Sequence, residues 1–173
     1  MSTARDVSDG VVLVVPAADA IVEEGVAGGP TRSESVRNGL AAIPADATII
    51  CVHDAARPFA SPQLYAAVIA AVTDGADCAV PGIEVTDTIK VVDPFGVVLS
   101  TPDRTSLRAV QTPQAFRASV LREAHSTSGE STDDAMLVEA LGAKVVVVDG
   151  HPDNRKITYP SDLEWARAKV GNI

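Results

Sequence analysis

Residues 48–80 read TIICVHDAARPFASPQLYAAVIAAVTDGADCAV, and this stretch decides the fold class. Its opening run, TIICV at 48–52, is apolar without alternation, as expected of a strand covered on both faces. Ser61 and Pro62 then supply a helix N-cap and a first helical residue, 63–73 is the helix, and Gly75 closes it. A second strand-like run follows at 77–80. A strand, a helix long enough for a crossover and another strand predict an α/β domain with a parallel sheet.

The same alternation extends in both directions. Residues 11–15 (VVLVV) are a β-branched run, and Ile21 and Val22 with Val26 predict a second, weaker strand. Val36, Leu40 and Ile43 share one helical face within 33–43. Downstream, 88–92 and 97–100 flank the turn signal Asp93-Pro94-Phe95-Gly96 and predict a hairpin, either lying on the surface or reaching a partner subunit. Helices are expected at 118–125, at 133–141 and at 160–170. Thr132 with Asp133 and Asp134 caps the second of these, and Gly142 ends it. Strands are expected at 144–148 and, briefly, at 156–158. With 173 residues and no repeat or linker, 1–173 reads as one domain.

Composition narrows the function classes. Hydrophobic residues make up 46% and charged residues 21%, a globular balance, but aromatics are only 3%, so Ala, Val, Ile and Leu must build the core. Fourteen Lys and Arg against 23 Asp and Glu give −9, which argues against nucleic acid as a partner while leaving room for a small phosphorylated ligand held by local cations. No apolar run approaches the roughly 18 residues of a bilayer span, and the N-terminus has no apolar signal core. Cys51 and Cys78 each sit in a strand-like run and read as reduced, buried thiols of a cytoplasmic protein without a membrane partner.

The chemistry concentrates in a few strings. His53-Asp54-Ala55-Ala56-Arg57-Pro58 follows a strand directly, where ligands of open parallel sheets bind. Asp54 can accept from substrate hydroxyls, and Arg57 can fork onto a phosphate or pair with Asp54 to tie down the loop. His53 reads as a packing residue at the strand end rather than a base. Gly28-Gly29-Pro30-Thr31-Arg32-Ser33-Glu34-Ser35 precedes a helix, and its glycine amides, Arg32 and Ser hydroxyls suit an anion or a nucleotide base and ribose, or an ordinary capped turn. Arg104, Arg108 and Lys156 taken singly read as solvated cations.

Six strings in order, GGPTRSESV, VHDAARPF, VTDTIK, PDRTSLRAVQTPQAF, STDDAMLVEALG and DNRKIT-P-SDL, resemble the 2-C-methyl-D-erythritol 4-phosphate cytidylyltransferases of the non-mevalonate isoprenoid pathway. The resemblance runs from residue 28 to about residue 163. It implies a Rossmann-like nucleotidyltransferase sheet with helices on both faces and a protruding β-hairpin arm, about residues 84–108, that clasps a second subunit into a homodimer. It implies transfer of CMP from CTP to 2-C-methyl-D-erythritol 4-phosphate with Mg²⁺, releasing pyrophosphate. By resemblance Gly29, Pro30, Ser35, Ala55 and Lys156 are CTP-side residues, and Asp54, Arg57, Thr88, Arg104 and Thr112 are substrate-side residues. Arg104 and Lys156 resemble the catalytic pair that positions the substrate phosphate, with Thr88 and Arg104 reaching the neighbouring subunit. No metal ligand can be named from the strings.

The HDAARP and RAVQTPQAF strings favour this acceptor over ribitol 5-phosphate, the acceptor of the related pentitol-phosphate cytidylyltransferases. Family members begin with a strand and a glycine-rich loop carrying an Arg and a Lys that wraps the CTP phosphates. Here residues 11–18 (VVLVVPAA) are either that first strand or the later one before Gly28-Gly29. No GxGxR-like segment follows, and roughly fifty residues of the family pattern are missing. Three explanations compete: a disordered stretch left out of this sequence, a truncated chain, or a non-catalytic dimeric member; if the 173 residues are the whole chain, very weak or absent cytidylyl transfer is expected.

Overall fold

Ser61 accepts the Leu64 amide and Pro62 takes the first helical position, so the crossover helix begins where its sequence signals place it. The structure is a computed structural model and describes residues 2–126, 131 and 133–171. In chain order its elements are α1 (Ser2–Asp6), β1 (Val14–Val15), β2 (Val26–Ala27), α2 (Arg32–Ala41), β3 (Ile49–Val52), α3 (Pro62–Thr73), β4 (Cys78–Glu84) and β5 (Val91–Val92). There follow β6 (Val98–Ser100), β7 (Arg108–Val110), β8 (Gln114–Arg117), α4 (Ala118–Ser126), α5 (Asp134–Ala140), β9 (Val145–Asp149) and α6 (Pro160–Val170).

The sheet is mixed, which corrects the all-parallel expectation. The α3 crossover does return β4 in the direction of β3, but the two are not neighbours. Antiparallel β8 lies between them, pairing Ile50 with Phe116 on one side and Cys78 with Phe116 on the other. β9 runs parallel along the opposite edge of β4, and β7 continues along the β8 side opposite residues 82–84. A four-residue strand buried on both faces carries no directional signal in its residues, so the β8 slot was invisible in sequence. Ala115 of β8 packs with Val68, Val72 and Ala79 beneath α3, and Phe116 points the other way, among Leu121, Val138 and Leu40. Helices therefore cover both faces, as expected. β4 also runs on through Pro81: its carbonyl accepts from the Gln111 amide, so its missing N–H falls in the gap between β7 and β8.

Smaller differences have local causes. The strand expected at Ile21 and Val22 is a turn with both side chains in solvent, 91% and 81% exposed. Pro16 ends β1, and the Asp19, Glu23 and Gly25 amides bond back to carbonyls at 16, 19 and 20 instead of joining a ladder. β1 pairs in parallel with β2, which leads into Gly28, so residues 11–15 supply the strand beside that loop. The short strand expected at 156–158 is absent, because a single bond from the Ile157 amide to the Ala56 carbonyl replaces a ladder. As expected, Asp133 caps α5, accepting from the Ala135 amide, and Asp134 stands in its first turn; Thr132 lies outside the described residues. The hairpin forms as β5 and β6 around a turn in which Asp93 Oδ1 accepts the Phe95 and Val97 amides and Gly96 takes φ +83°. Its apolar side chains face outward, with Phe95 91% exposed.

Candidate functional site

Strand direction gathers the site. β3, β4 and β9 share a direction, so the segments following β3 and β9 emerge at the same edge of the sheet. Antiparallel β8 begins at that edge, which brings Gln111 and Thr112 alongside them. Three segments far apart in sequence, 53–58, 111–113 and 150–156, thus meet at the carboxyl end of the sheet, where open α/β folds bind ligands.

A relay shapes the first segment. The Asp54 amide donates to Thr112 Oγ1 at 2.9 Å, and that hydroxyl lies 3.0 Å from His53 Nδ1. His53 Nε2 lies 3.0 Å from the Arg57 carbonyl, which can only accept, so the ring carries its proton on Nε2 and accepts from Thr112 at Nδ1. Burial lowers the His53 pKa, while the Arg57 carbonyl bond and the Asp54 charge oppose that shift. His53 is thus a neutral packing residue, as its position at a strand end suggested.

Four of the expected substrate-side and phosphate-positioning residues come together here. Lys156 Nζ lies 2.9 Å from Asp54 Oδ2, and Arg57 Nε approaches the same oxygen at 3.7 Å. Arg57 also donates to the Asn154 carbonyl at 2.8 Å; burial lowers its pKa, and Asp54 partly offsets this. Thr112 completes the group through the relay. An open cavity of about 360 Å³ is lined by Arg57, Ile83, Gln111 and Lys156 among others. Thr88 and Arg104 do not join it within one chain: Arg104 donates to the Thr86 carbonyl, and among the described residues neither it nor Thr88 bonds to Asp54 or Lys156. Arg108 caps nearby carbonyls at the surface.

Two residues that sequence reasoning passed over hold the segments in register. Asn154, 1% exposed, donates to the Thr112 carbonyl at 2.8 Å and to Gln111 Oε1 at 3.3 Å. Gln111 in turn bridges the backbone of His151 through both ends of its amide. Both lay inside quoted strings, but only burial distinguishes them from ordinary loop polars.

The Gly29, Pro30 and Ser35 segment forms a separate wall. Thr31 and Glu34 make a reciprocal capping box, and Ser35 Oγ accepts the Gly29 amide at 3.1 Å. A Cβ on Gly29 would stand 2.3 Å from that of Glu34, so only glycine fits there. The Gly28 amide is spent on the Val15 carbonyl of β1 and the Gly29 and Thr31 amides on Ser35 and Glu34, which removes them as the expected anion cradle and leaves a shape for base and ribose. Arg32 also turns inward rather than toward an anion: burial pulls its pKa down, but Asp134 above all, with Asp54 and Asp133, holds it above its ordinary value. Ala55 is exposed beside Asp54 at the crevice. Cys51 and Cys78 are free thiols, each pushed up to about 12, chiefly by burial, and carry no chemistry here.

Comparison with known proteins shows the family. The family described as 2-C-methyl-D-erythritol 4-phosphate cytidylyltransferase matches residues 8–172. A protein of that name from Rhodococcus jostii is 51% identical over 146 residues, covering 84% of this chain and 64% of that protein. Another from Streptomyces avermitilis is 49% identical over 150 residues, covering 83% and 60%. The chain therefore spans somewhat less than two thirds of the length of these curated relatives. Among solved structures, the 4-diphosphocytidyl-2C-methyl-D-erythritol synthase of Anaerococcus prevotii superposes with a TM-score of 0.89 at 30% identity, over 98% of this chain and 86% of that one. The 2-C-methyl-D-erythritol 4-phosphate cytidylyltransferase of Thermus thermophilus gives 0.85 at 36% identity, over 98% and 85%. With the family match, the sequence identity and the superposition all agreeing, the chain belongs to the 2-C-methyl-D-erythritol 4-phosphate cytidylyltransferase family.

Proposed function

We propose that this chain carries the acceptor side and the nucleotide-base side of a site that transfers CMP from CTP to 2-C-methyl-D-erythritol 4-phosphate. The products are 4-diphosphocytidyl-2-C-methyl-D-erythritol and pyrophosphate, in isoprenoid precursor synthesis. The observation that carries this reading is the convergence of Lys156 and Arg57, which line one cavity, on Asp54, with Thr112 locked to the Asp54 loop. A polyol phosphate presents hydroxyls and a dianion. Asp54 accepts from hydroxyls, and Lys156, half-exposed, can turn from Asp54 to the phosphate.

The acceptor phosphate oxygen attacks the α-phosphorus of CTP in line; the new P–O bond forms as the bond to the β-phosphate breaks, and the electron pair leaves on pyrophosphate. No covalent enzyme intermediate is needed, so the protein acts by positioning and by placing cations near developing charge. The Gly29, Pro30 and Ser35 wall, with Ala55, takes cytosine and ribose. Lys156 and Arg104 place the attacking phosphate, and Thr88 and Arg104 act from the arm of a second subunit.

Asp54 is the carboxylate of the converging group and is already paired, and no cluster of three metal-ligating side chains occurs among the described residues. The donor set does not suit a resident ion but does suit Mg²⁺ delivered on the triphosphate, with phosphate and water oxygens as its ligands. Bound there, the ion neutralises phosphate charge.

The homodimer is supported by the outward apolar arm, where Val92, Phe95, Val97 and Leu99 are at least half exposed. Sedimentation is expected to give a dimer that Phe95→Asp shifts toward monomer; a monomer in the unsubstituted protein sinks this part. A cytoplasmic location fits the unpaired thiols and the lack, among the described residues, of any helix long and apolar enough to cross a membrane. The acceptor is tested by calorimetric titration with 2-C-methyl-D-erythritol 4-phosphate and with ribitol 5-phosphate. The methylerythritol compound is expected to bind about 10-fold tighter, since a site built for particular hydroxyls leaves its polar groups unpaired with the wrong polyol. Equal or reversed affinities would exclude the assignment.

A further inference from the structure

Asp134 is wholly buried at the start of α5, and nothing in the proposed chemistry uses it. One of its oxygens, Oδ2, accepts from Arg32 at 2.5 Å and the other, Oδ1, meets His125 Nε2 at 2.9 Å; the His125 side chain is 2% exposed. Burial raises the Asp134 carboxyl, but the bonds from His125 and Arg32 hold it below the ordinary carboxylate range, so it is an anion inside the protein. Beside it the fully buried Ser33 hydroxyl donates to the Ser131 carbonyl at 3.2 Å and accepts from the Ser131 amide at 3.1 Å. The first turn of α2 is thus fastened twice to the chain entering α5.

That turn is continuous with the wall at 29–35. Arg32 directly follows Thr31, whose hydroxyl and Glu34 partner set the loop, and Ser35 carries the bond to the Gly29 amide. A buried ion pair contributes little net stability compared with apolar groups of the same volume, because desolvation offsets the attraction. Its directional hydrogen bond is what apolar packing could not supply: the Arg32 guanidinium donates to a carboxylate itself held by His125.

We propose that Asp134 is a positioning residue of the nucleotide side: acting through Arg32, it fixes the first turn of α2 and with it the wall at residues 29–35 that receives the cytidine part of CTP. This rests on the reading given under Proposed function for the identity of the ligand. It needs no contact between Asp134 and the nucleotide.

The test uses the full chain and two variants. Asp134→Asn keeps the volume and removes the charge; Arg32→Lys keeps the charge opposite Asp134 but replaces the planar guanidinium, and so keeps the test decisive if the first fails to fold. In both, hydrogen exchange at the Gly29 and Ser35 amides is expected to accelerate about 10-fold while the β4 amides at Ala79 and Val80 keep their rates. CTP titrated calorimetrically is expected to bind about 10-fold more weakly, with 2-C-methyl-D-erythritol 4-phosphate unchanged within about twofold. Equal acceleration in β4, or equal loss for both ligands, would mean that Asp134 only stabilises the domain and would overturn the proposal. So would unchanged exchange at Gly29 and Ser35. If the unsubstituted protein binds no CTP, the functional reading fails, whereas the exchange rates still decide whether Asp134 fixes the wall.

Discussion

A polypeptide of these 173 residues, supplied with CTP, Mg²⁺ and 2-C-methyl-D-erythritol 4-phosphate, is expected to release pyrophosphate at least about 10²–10³-fold more slowly than the same polypeptide joined to the glycine-rich N-terminal segment of a family member. The reason is the distribution of cations. Lys156 and Arg57 converge on the acceptor side, Arg32 is committed to Asp134, and the Gly28, Gly29 and Thr31 amides are already bonded to Val15, Ser35 and Glu34. After β1 the chain turns through Pro16 and Asp19, with no glycine-rich string to wrap a triphosphate. Charge developing on the leaving pyrophosphate then lacks preorganised donors, and each such donor typically accounts for about 10²–10³ in rate. Pyrophosphate release is the measurement. Equal turnover with and without the added segment would show that these residues already neutralise the leaving group.

Lys156→Met is expected to weaken binding of 2-C-methyl-D-erythritol 4-phosphate by about 10–100-fold, the equivalent of one charged hydrogen bond of roughly 1.5–3 kcal/mol. The thermal midpoint should hardly move. Lys156 is half-exposed, and its ion pair with Asp54 sits where solvent screens it, so its share of folding stability is at most about 1 kcal/mol. Lys156→Arg keeps the charge and should recover part of the affinity. Calorimetry beside thermal unfolding separates the outcomes: a midpoint falling in step with affinity would make Lys156 a brace for the loop rather than a phosphate ligand.

Much of the architecture was legible because its rules are local. Ser61 and Pro62 start α3, Thr31 and Glu34 start α2, and Asp93 and Gly96 turn the arm, each through bonds spanning only a few residues. Ile21 and Val22 misled for the same reason in reverse. Two β-branched residues satisfy strand propensity, but no neighbouring strand edge receives them after Pro16, so the backbone bonded to itself. The site was half legible. Asp54, Arg57, Thr112 and Lys156 were named from their strings, whereas Asn154 and Gln111, which hold those strings together, differ from ordinary loop residues only by being buried.

The order of residues along the chain sufficed for the segments, their caps and turns, the family resemblance and the residue types available for phosphate and hydroxyl recognition. Packing in three dimensions was needed to put β8 into the slot between β3 and β4, bringing Thr112 to Asp54. It was needed also to carry Arg57 to Asn154, 97 residues away, and to spend Arg32 on Asp134, 102 residues away, rather than leave it for an anion. The physical reason is range. Propensity and capping act within a turn or two of chain, while desolvation and charge pairing act through space, and a cation's role is set by which carboxylate the fold buries beside it.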